Sequence, residues 1–125
     1  MMFDKVIDDG TLRATPEGFS VGVRLPWYRS LPLSCISVNL LTCDGHAVPA
    51  EAITIHLNGR ARQLSELVEE IEETWFITDT ATLSVKGAPL ASGSEHRIEA
   101  EIEVRPPYIK GLRRVGRVAR MMKAA

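Results

Sequence analysis

Apolar and polar residues alternate in short runs along most of this chain, the two-residue period of half-buried strands. Phe19, Val21, Val23 and Leu25 alternate with Ser20, Gly22 and Arg24. Pro16-Glu17-Gly18 is a turn signal before that run, and Thr11 to Ala14 is placed to pair with it as a hairpin. Ile36, Val38 and Leu40 alternate with Ser37 and Asn39, and Asp44-Gly45 then predicts a tight turn with a short return strand over His46 to Val48. Thr54 to Leu57 and Ala61 to Leu64 flank Asn58-Gly59, the strongest short hairpin signal in the chain. Trp75-Phe76-Ile77 opens another strand-like stretch, followed by Ala81 to Val85. The cleanest alternation comes late: His96, Ile98, Ala100, Ile102 and Val104 against Arg97, Glu99, Glu101, Glu103 and Arg105, stopped by Pro106-Pro107. One face is apolar and the other charged, as in an antiparallel sheet with one wet side.

Two segments read differently. Leu64, Leu67, Val68 and Ile71 keep a helical i, i+3, i+4, i+7 spacing, and Ser65 is placed to cap one or two turns. Leu112, Val115, Val118, Ala119 and Met122 also follow helical spacing with arginines on the other faces, which predicts a basic amphipathic helix. Gly111 and Gly116 weaken that helix by roughly 1 kcal/mol each relative to Ala. The fold class expected is therefore all-β. It is an antiparallel β-sandwich or jelly-roll-like single domain over residues 1–109, with one short helical turn and a basic C-terminal tail over residues 110–125.

Charge changes this picture at one place. The chain has 125 residues and a formal net charge of −1. All 16 acidic residues lie in residues 1–109, with nine Lys or Arg, a balance of −7. Residues 110–125 carry Lys110, Arg113, Arg114, Arg117, Arg120 and Lys123 and no acid, a balance of +6. An acidic body ends in a basic tail, expected either to be solvated or to contact acidic surface on its own body or a partner. The length fits one domain with a sufficient core. No apolar run reaches the ~20 residues of a membrane helix, and the N-terminus lacks a signal-peptide layout, so a cytoplasmic protein without membrane contact is expected.

Recognisable catalytic motifs are missing: there is no G-x-S-x-G, Walker loop, G-x-G-x-x-G or H-E-x-x-H. Cys35 and Cys43 read as buried free thiols. His46, His56 and His96 are isolated in sequence, and the pairing of His56 with Asn58 on a strand is a weak metal signal. No metal site is expected in this chain. Glu69, Glu70, Glu72 and Glu73 form an acidic cluster that reads as solvated. The exception is Arg24 to Ser34, where Trp27, Tyr28 and Arg29 sit between Pro26 and Pro32. The prolines stiffen the connection, the aromatics offer flat faces with polar tips, and Arg offers a planar fork for oxygens. The set suits a partner surface, a sugar ring or an aromatic ligand; the competing reading makes Trp27 and Leu31 a cap on the core.

At this segment the sequence resembles the small (beta) subunit of bacterial C-glycoside deglycosidases. The resemblance is carried by Met2-Phe3-Asp4, Arg24-Leu25-Pro26-Trp27-Tyr28-Arg29, Leu31-Pro32-Leu33-Ser34, Leu57-Asn58-Gly59-Arg60, Leu64 to Leu67, Trp75, Ala81-Thr82-Leu83 and Leu90 to His96. It spans about residues 2–108; Ser30 stands where glycine is expected, and the basic tail is outside the pattern. It implies a β-sandwich subunit of a hetero-oligomer with a larger TIM-barrel alpha subunit. That partner would hold the base and a divalent metal, expected to be manganese. The complex would act as a lyase on 3-oxo-C-glycosides, such as oxidised flavonoid C-glycosides, breaking the sugar–aglycone carbon–carbon bond. No catalytic residue and no cofactor are carried over to this chain. Trp27, Tyr28 and Arg29 are the expected substrate or partner contact at the pocket rim. Two other readings stand beside it: a stand-alone module binding carbohydrate or aromatic ligands, and an RNA-binding protein working through its tail. The −7 body and the lack of any aromatic in residues 110–125 rank the nucleic-acid reading last.

Overall fold

Alternation becomes a two-sheet sandwich in the computed structural model, which describes residues 5–125. The Met2-Phe3-Asp4 segment lies outside the described residues. The first sheet contains β1 (Arg13–Ala14), β2 (Gly18–Arg24), β6 (Ile53–Leu57), β7 (Arg60–Gln63) and β9 (Thr80–Lys86), in the order β1-β2-β9-β6-β7. The second contains β4 (Ile36–Cys43), β5 (His46–Ala47), β10 (Glu95–Val104) and β11 (Arg114–Lys123), in the order β11-β10-β4-β5. A two-stranded ribbon joins β3 (Leu31–Pro32) to β8 (Thr74–Trp75). All these pairings are antiparallel. The all-β expectation holds.

The inner faces supply one core. Phe19, Val21 and Val23 of β2, Ile53 and Ile55 of β6 and Leu83 of β9 meet Ile36 and Leu41 of β4 and Ile98 and Ile102 of β10. Each such buried side chain contributes roughly 1.5–3 kcal/mol relative to exposure. The turns follow from their residues: Asp44 and Asn58 take φ of 53° and 55°, tolerable for Asp and Asn, with Gly45 and Gly59 following at 82° and 73°.

Three expectations need correction. The alternation Ile36, Val38, Leu40 holds only to Val38. A register shift against β10 falls between Glu101 and Ile102, so Val38 opposes Ile102 but Leu40 opposes Glu101. Asn39 is the extra residue, and beyond it Leu41 and Cys43 are buried in place of Leu40. A bulge reverses which residues face the core.

The helical turn over Leu64–Glu69 is a 3-10 helix, capped by Gln63 and not by Ser65. Glu66 closes the capping box by accepting the Gln63 N–H at 2.7 Å. At three residues per turn, Leu64 and Leu67 share the inner face while position i+4 rotates away, so Val68 is exposed, as is Ile71 beyond the helix.

The basic tail is a strand, not an amphipathic helix. Arg114 to Lys123 pair with Val104 to Glu95 over ten residues. The operative period is two: Gly116, Val118 and Met122 turn inward, while Val115, Arg117 and Met121 turn outward. Gly116 fits through absence of a side chain, since a Cβ there would lie 2.8 Å from Pro26 Cβ and 2.9 Å from Val6 Cγ2. After β11, Ala125 bonds the backbone of Leu12 and Ala14, and Ala124 that of Gly93 and Ser94.

Candidate functional site

The Pro26–Ser30 turn leaves the end of β2 and divides its aromatics between core and surface. Trp27 is buried at 7% exposure, while Tyr28 is 56% exposed. Their rings lie 4.8 Å apart at a 41° tilt. The core reading thus holds for Trp27, whereas Tyr28 and Arg29 are exposed. Ser30 anchors the far side of the turn: its hydroxyl accepts the Ile77 N–H at 2.8 Å. The Arg24 guanidinium also donates to the Ile77 carbonyl, at 3.4 Å.

Sequence reasoning missed Tyr108, which completes this site from the segment after β10. Trp27 Nε1 donates to the Tyr108 hydroxyl at 2.6 Å, satisfying the one polar atom of the buried indole. The Arg29 guanidinium stacks over the Tyr108 ring at 4.9 Å from its centroid, within cation–π range. Hydrogen bonding to Tyr108, with a smaller contribution from burial, holds the Tyr28 phenol above its usual range. The Tyr28 phenol is therefore a neutral donor–acceptor at neutral pH. Tyr108 is 47% exposed and Ile109 beside it is also exposed. The signal available in sequence was an aromatic directly after Pro106-Pro107, the stop of the most regular alternating run. The result is a rim of two tyrosines and a stacked arginine on a buried tryptophan pedestal, suited to flat, hydrogen-bonding surfaces.

The conspicuous charges have other partners. On the outer face of β10, Glu99 accepts Arg117 Nε at 2.7 Å and Glu103 accepts Arg113 Nε at 2.9 Å and Arg105 at 2.6 Å. Asn39 Nδ2 bridges Glu101 and Glu103 at 3.0 and 3.1 Å. Hydrogen bonds from Arg113, Asn39 and Arg105 hold Glu103 down to about 2, and Arg117 holds Glu99 below its usual range. The tail thus contacts acidic surface on its own body. In the acidic cluster, Glu73 accepts Asn58 at 2.8 Å and pairs with Arg60 at 3.0 Å and the buried Arg62 at 2.8 Å, and Glu70 pairs with Arg62 at 3.3 Å. The Asn58 bond, foremost, lowers the Glu73 carboxyl. His56 and Asn58 do not converge: His56 meets Ser84 Oγ at 3.0 Å, and Asn58 turns to Glu73 and the Thr74 carbonyl.

Comparison with known proteins assigns the fold its family. The model of the C-glycoside deglycosidase beta subunit family matches residues 2–108. The chain belongs to that family. It is 41% identical over 109 residues to a C-glycoside deglycosidase beta subunit from Microbacterium trichothecenolyticum, covering 87% of this chain and 82% of the relative. It is 38% identical to a C-glycoside deglycosidase beta subunit from Arthrobacter globiformis, covering 87% and 83%. A 3'-dehydrocarminate deglycosidase beta subunit from a Microbacterium species is 34% identical, covering 87% and 82%. The family match ends at Tyr108, so it takes in the whole aromatic rim and stops before β11. Among the described residues, no helix is long and apolar enough to cross a membrane.

Proposed function

We propose that this chain is the non-catalytic beta subunit of a C-glycoside deglycosidase complex. Its partner is a larger TIM-barrel alpha subunit, and the two cleave 3-oxo-C-glycosides by elimination. The family name of the relatives supports a subunit role. The observation that carries the reading is the rim of Tyr28, Arg29 and Tyr108, left exposed on a Trp27 base that is itself satisfied. Such a rim fits an interface anchor, where Tyr and Arg are the enriched hot-spot types.

The chemistry assigned to the complex follows from the substrate. A ketone at sugar carbon 3 acidifies the hydrogen on carbon 2. A base removes that proton, the electron pair expels the aglycone carbon, and that carbon takes up a proton. A divalent metal, expected to be manganese in the partner's barrel, would supply Lewis-acid stabilisation of the developing negative charge. The rim in this chain contains no carboxylate or imidazole to serve as base. Its contribution is positional: Tyr28 and Tyr108 present hydroxyls, and Arg29 presents a cation, at the edge of the partner's pocket.

The test is reconstitution. Mixed with the barrel subunit and manganese, the chain is expected to restore cleavage of a 3-oxo-C-glycoside that neither subunit cleaves alone. Full cleavage by the purified small chain would overturn the assignment.

A further inference from the structure

We infer that Cys43, Asp44 and His96 form a binding site for a borderline-soft divalent cation, zinc in particular. Cys43 ends β4, Asp44 opens the two-residue turn, and His96 lies on β10 beside it. The turn is fastened to β10 by the Asp44 N–H donating to the Arg97 carbonyl at 2.8 Å. One sulfur, one carboxylate oxygen and one imidazole nitrogen come within 4.8 Å of one another. Asp44 Oδ2 is 2.6 Å from His96 Nδ1 and 3.9 Å from Cys43 Sγ. Zinc bonds of about 2.0–2.3 Å in a tetrahedron set donor separations of about 3.3–3.5 Å. The two observed distances bracket that range, and the third pair, Cys43 Sγ and the His96 ring nitrogen, lies within 4.8 Å. Seating an ion asks the half-exposed Asp44 and the part-buried His96 side chains to adjust.

The outer contacts of these residues favour a cation. Ser94 Oγ has one hydrogen and donates it to the Ala91 carbonyl at 2.5 Å. Its contact with His96 Nε2 at 2.7 Å therefore takes its hydrogen from the imidazole. That leaves Nδ1 facing a carboxylate oxygen, with either a proton or a metal ion between them. Asp44 Oδ1 accepts the Arg97 N–H at 2.9 Å, which orients the carboxylate. Ligating histidines and carboxylates are characteristically held in this way by outer hydrogen bonds. A surface cavity of about 400 Å³ adjoins Cys43 and Asp44, and His46, the cross-strand partner of Cys43, lines it. That cavity would give solvent access to the Cys43 and Asp44 side of a bound ion.

Zinc and cobalt titration of the untagged, metal-free full chain tests the site. One equivalent of cobalt should bind with a near-ultraviolet thiolate-to-cobalt absorption band, and zinc should displace it. Cys43→Ser should abolish the band, His96→Gln should weaken zinc binding by more than about 100-fold, and Ser94→Ala by about 10–100-fold. His96 and Ser94 lie outside the core, so those two variants read binding even if Cys43→Ser does not fold. Failure to bind zinc stoichiometrically, or binding unchanged by His96→Gln and Ser94→Ala, would overturn the proposal and leave a proton between His96 and Asp44.

Discussion

The outer face of the β10–β11 pair and the rim on Trp27 are both rich in arginine, but they use it in opposite ways. On the strand face, Arg113 and Arg117 end on Glu103 and Glu99 of the same chain. On the rim, Arg29 lies on the Tyr108 ring, and Tyr28 extends outward beside it. The first region closes its charges internally, and the second keeps aromatic surface facing out. A long run of charge, conspicuous in sequence, serves the sheet; Tyr28 and Arg29 of a proline-bracketed turn, with Tyr108, are what remains available for a partner.

The largest expected effect separates the two regions directly. Tyr28→Ala combined with Arg29→Ala removes only exposed side chains. It should weaken association with the proposed alpha subunit by at least about 2 kcal/mol, roughly 30-fold, the scale of an interface hot spot. Chain stability should move by no more than about 0.5 kcal/mol. Arg117→Gln, on the strand face, should leave association unchanged. Calorimetric binding to the proposed partner subunit checks both, and equal losses from the two variants would erase the contrast.

The regions are joined at Gly116, where β11 passes over Pro26 at the start of the rim turn. Gly116→Ala places a Cβ 2.8 Å from the proline ring, against atoms that cannot swing aside. The strand or the turn must shift, at about 1–3 kcal/mol of overpacking. Urea denaturation should show that loss. An unchanged midpoint would mean the tail does not bear on the rim.

How much of this was legible varies with the range of the interaction. β2, β9, β10 and both Gly-containing hairpins follow from local alternation and turn residues, which need no knowledge of distant partners. The bulge at Asn39 has no local mark, because it is set by pairing with Glu101 and Ile102. Leu112, Val115, Val118, Ala119 and Met122 satisfy a helical period, but the free edge of β10 offers ten residues of pairing and a row of carboxylates, so tertiary context overrides the pattern. Gly116, a weak point in a helix, is the close-contact residue of a strand. Trp27, Tyr28 and Arg29 were found as a local cluster, whereas Tyr108, 81 residues from Trp27, needed the fold to join them. The same holds for His96, 52 residues from Asp44.

The smallest effect concerns the self-contained region and has a definite sign. Glu103 has its folded pKa near 2, below the ordinary 4.5, because Arg113, Asn39 and Arg105 all bond its carboxylate. A depressed folded value means the unfolded chain takes up the proton first as pH falls. The stabilisation is therefore complete above about 4.5 and is lost as pH drops toward 2. Arg105 and Arg113 are 38% and 64% exposed, so solvent screens both pairs and the loss is on the order of 1 kcal/mol. Thermal unfolding of the chain and of Glu103→Gln, compared between pH 6 and pH 2 (roughly the limits of that titration), should show a gap that closes with acid. A gap that stayed constant across this range would mean that the carboxylate's charge contributes nothing and that only its shape matters. The charge contrast between strand face and rim would then rest on Arg117 with Glu99 and Glu101, and not on Glu103.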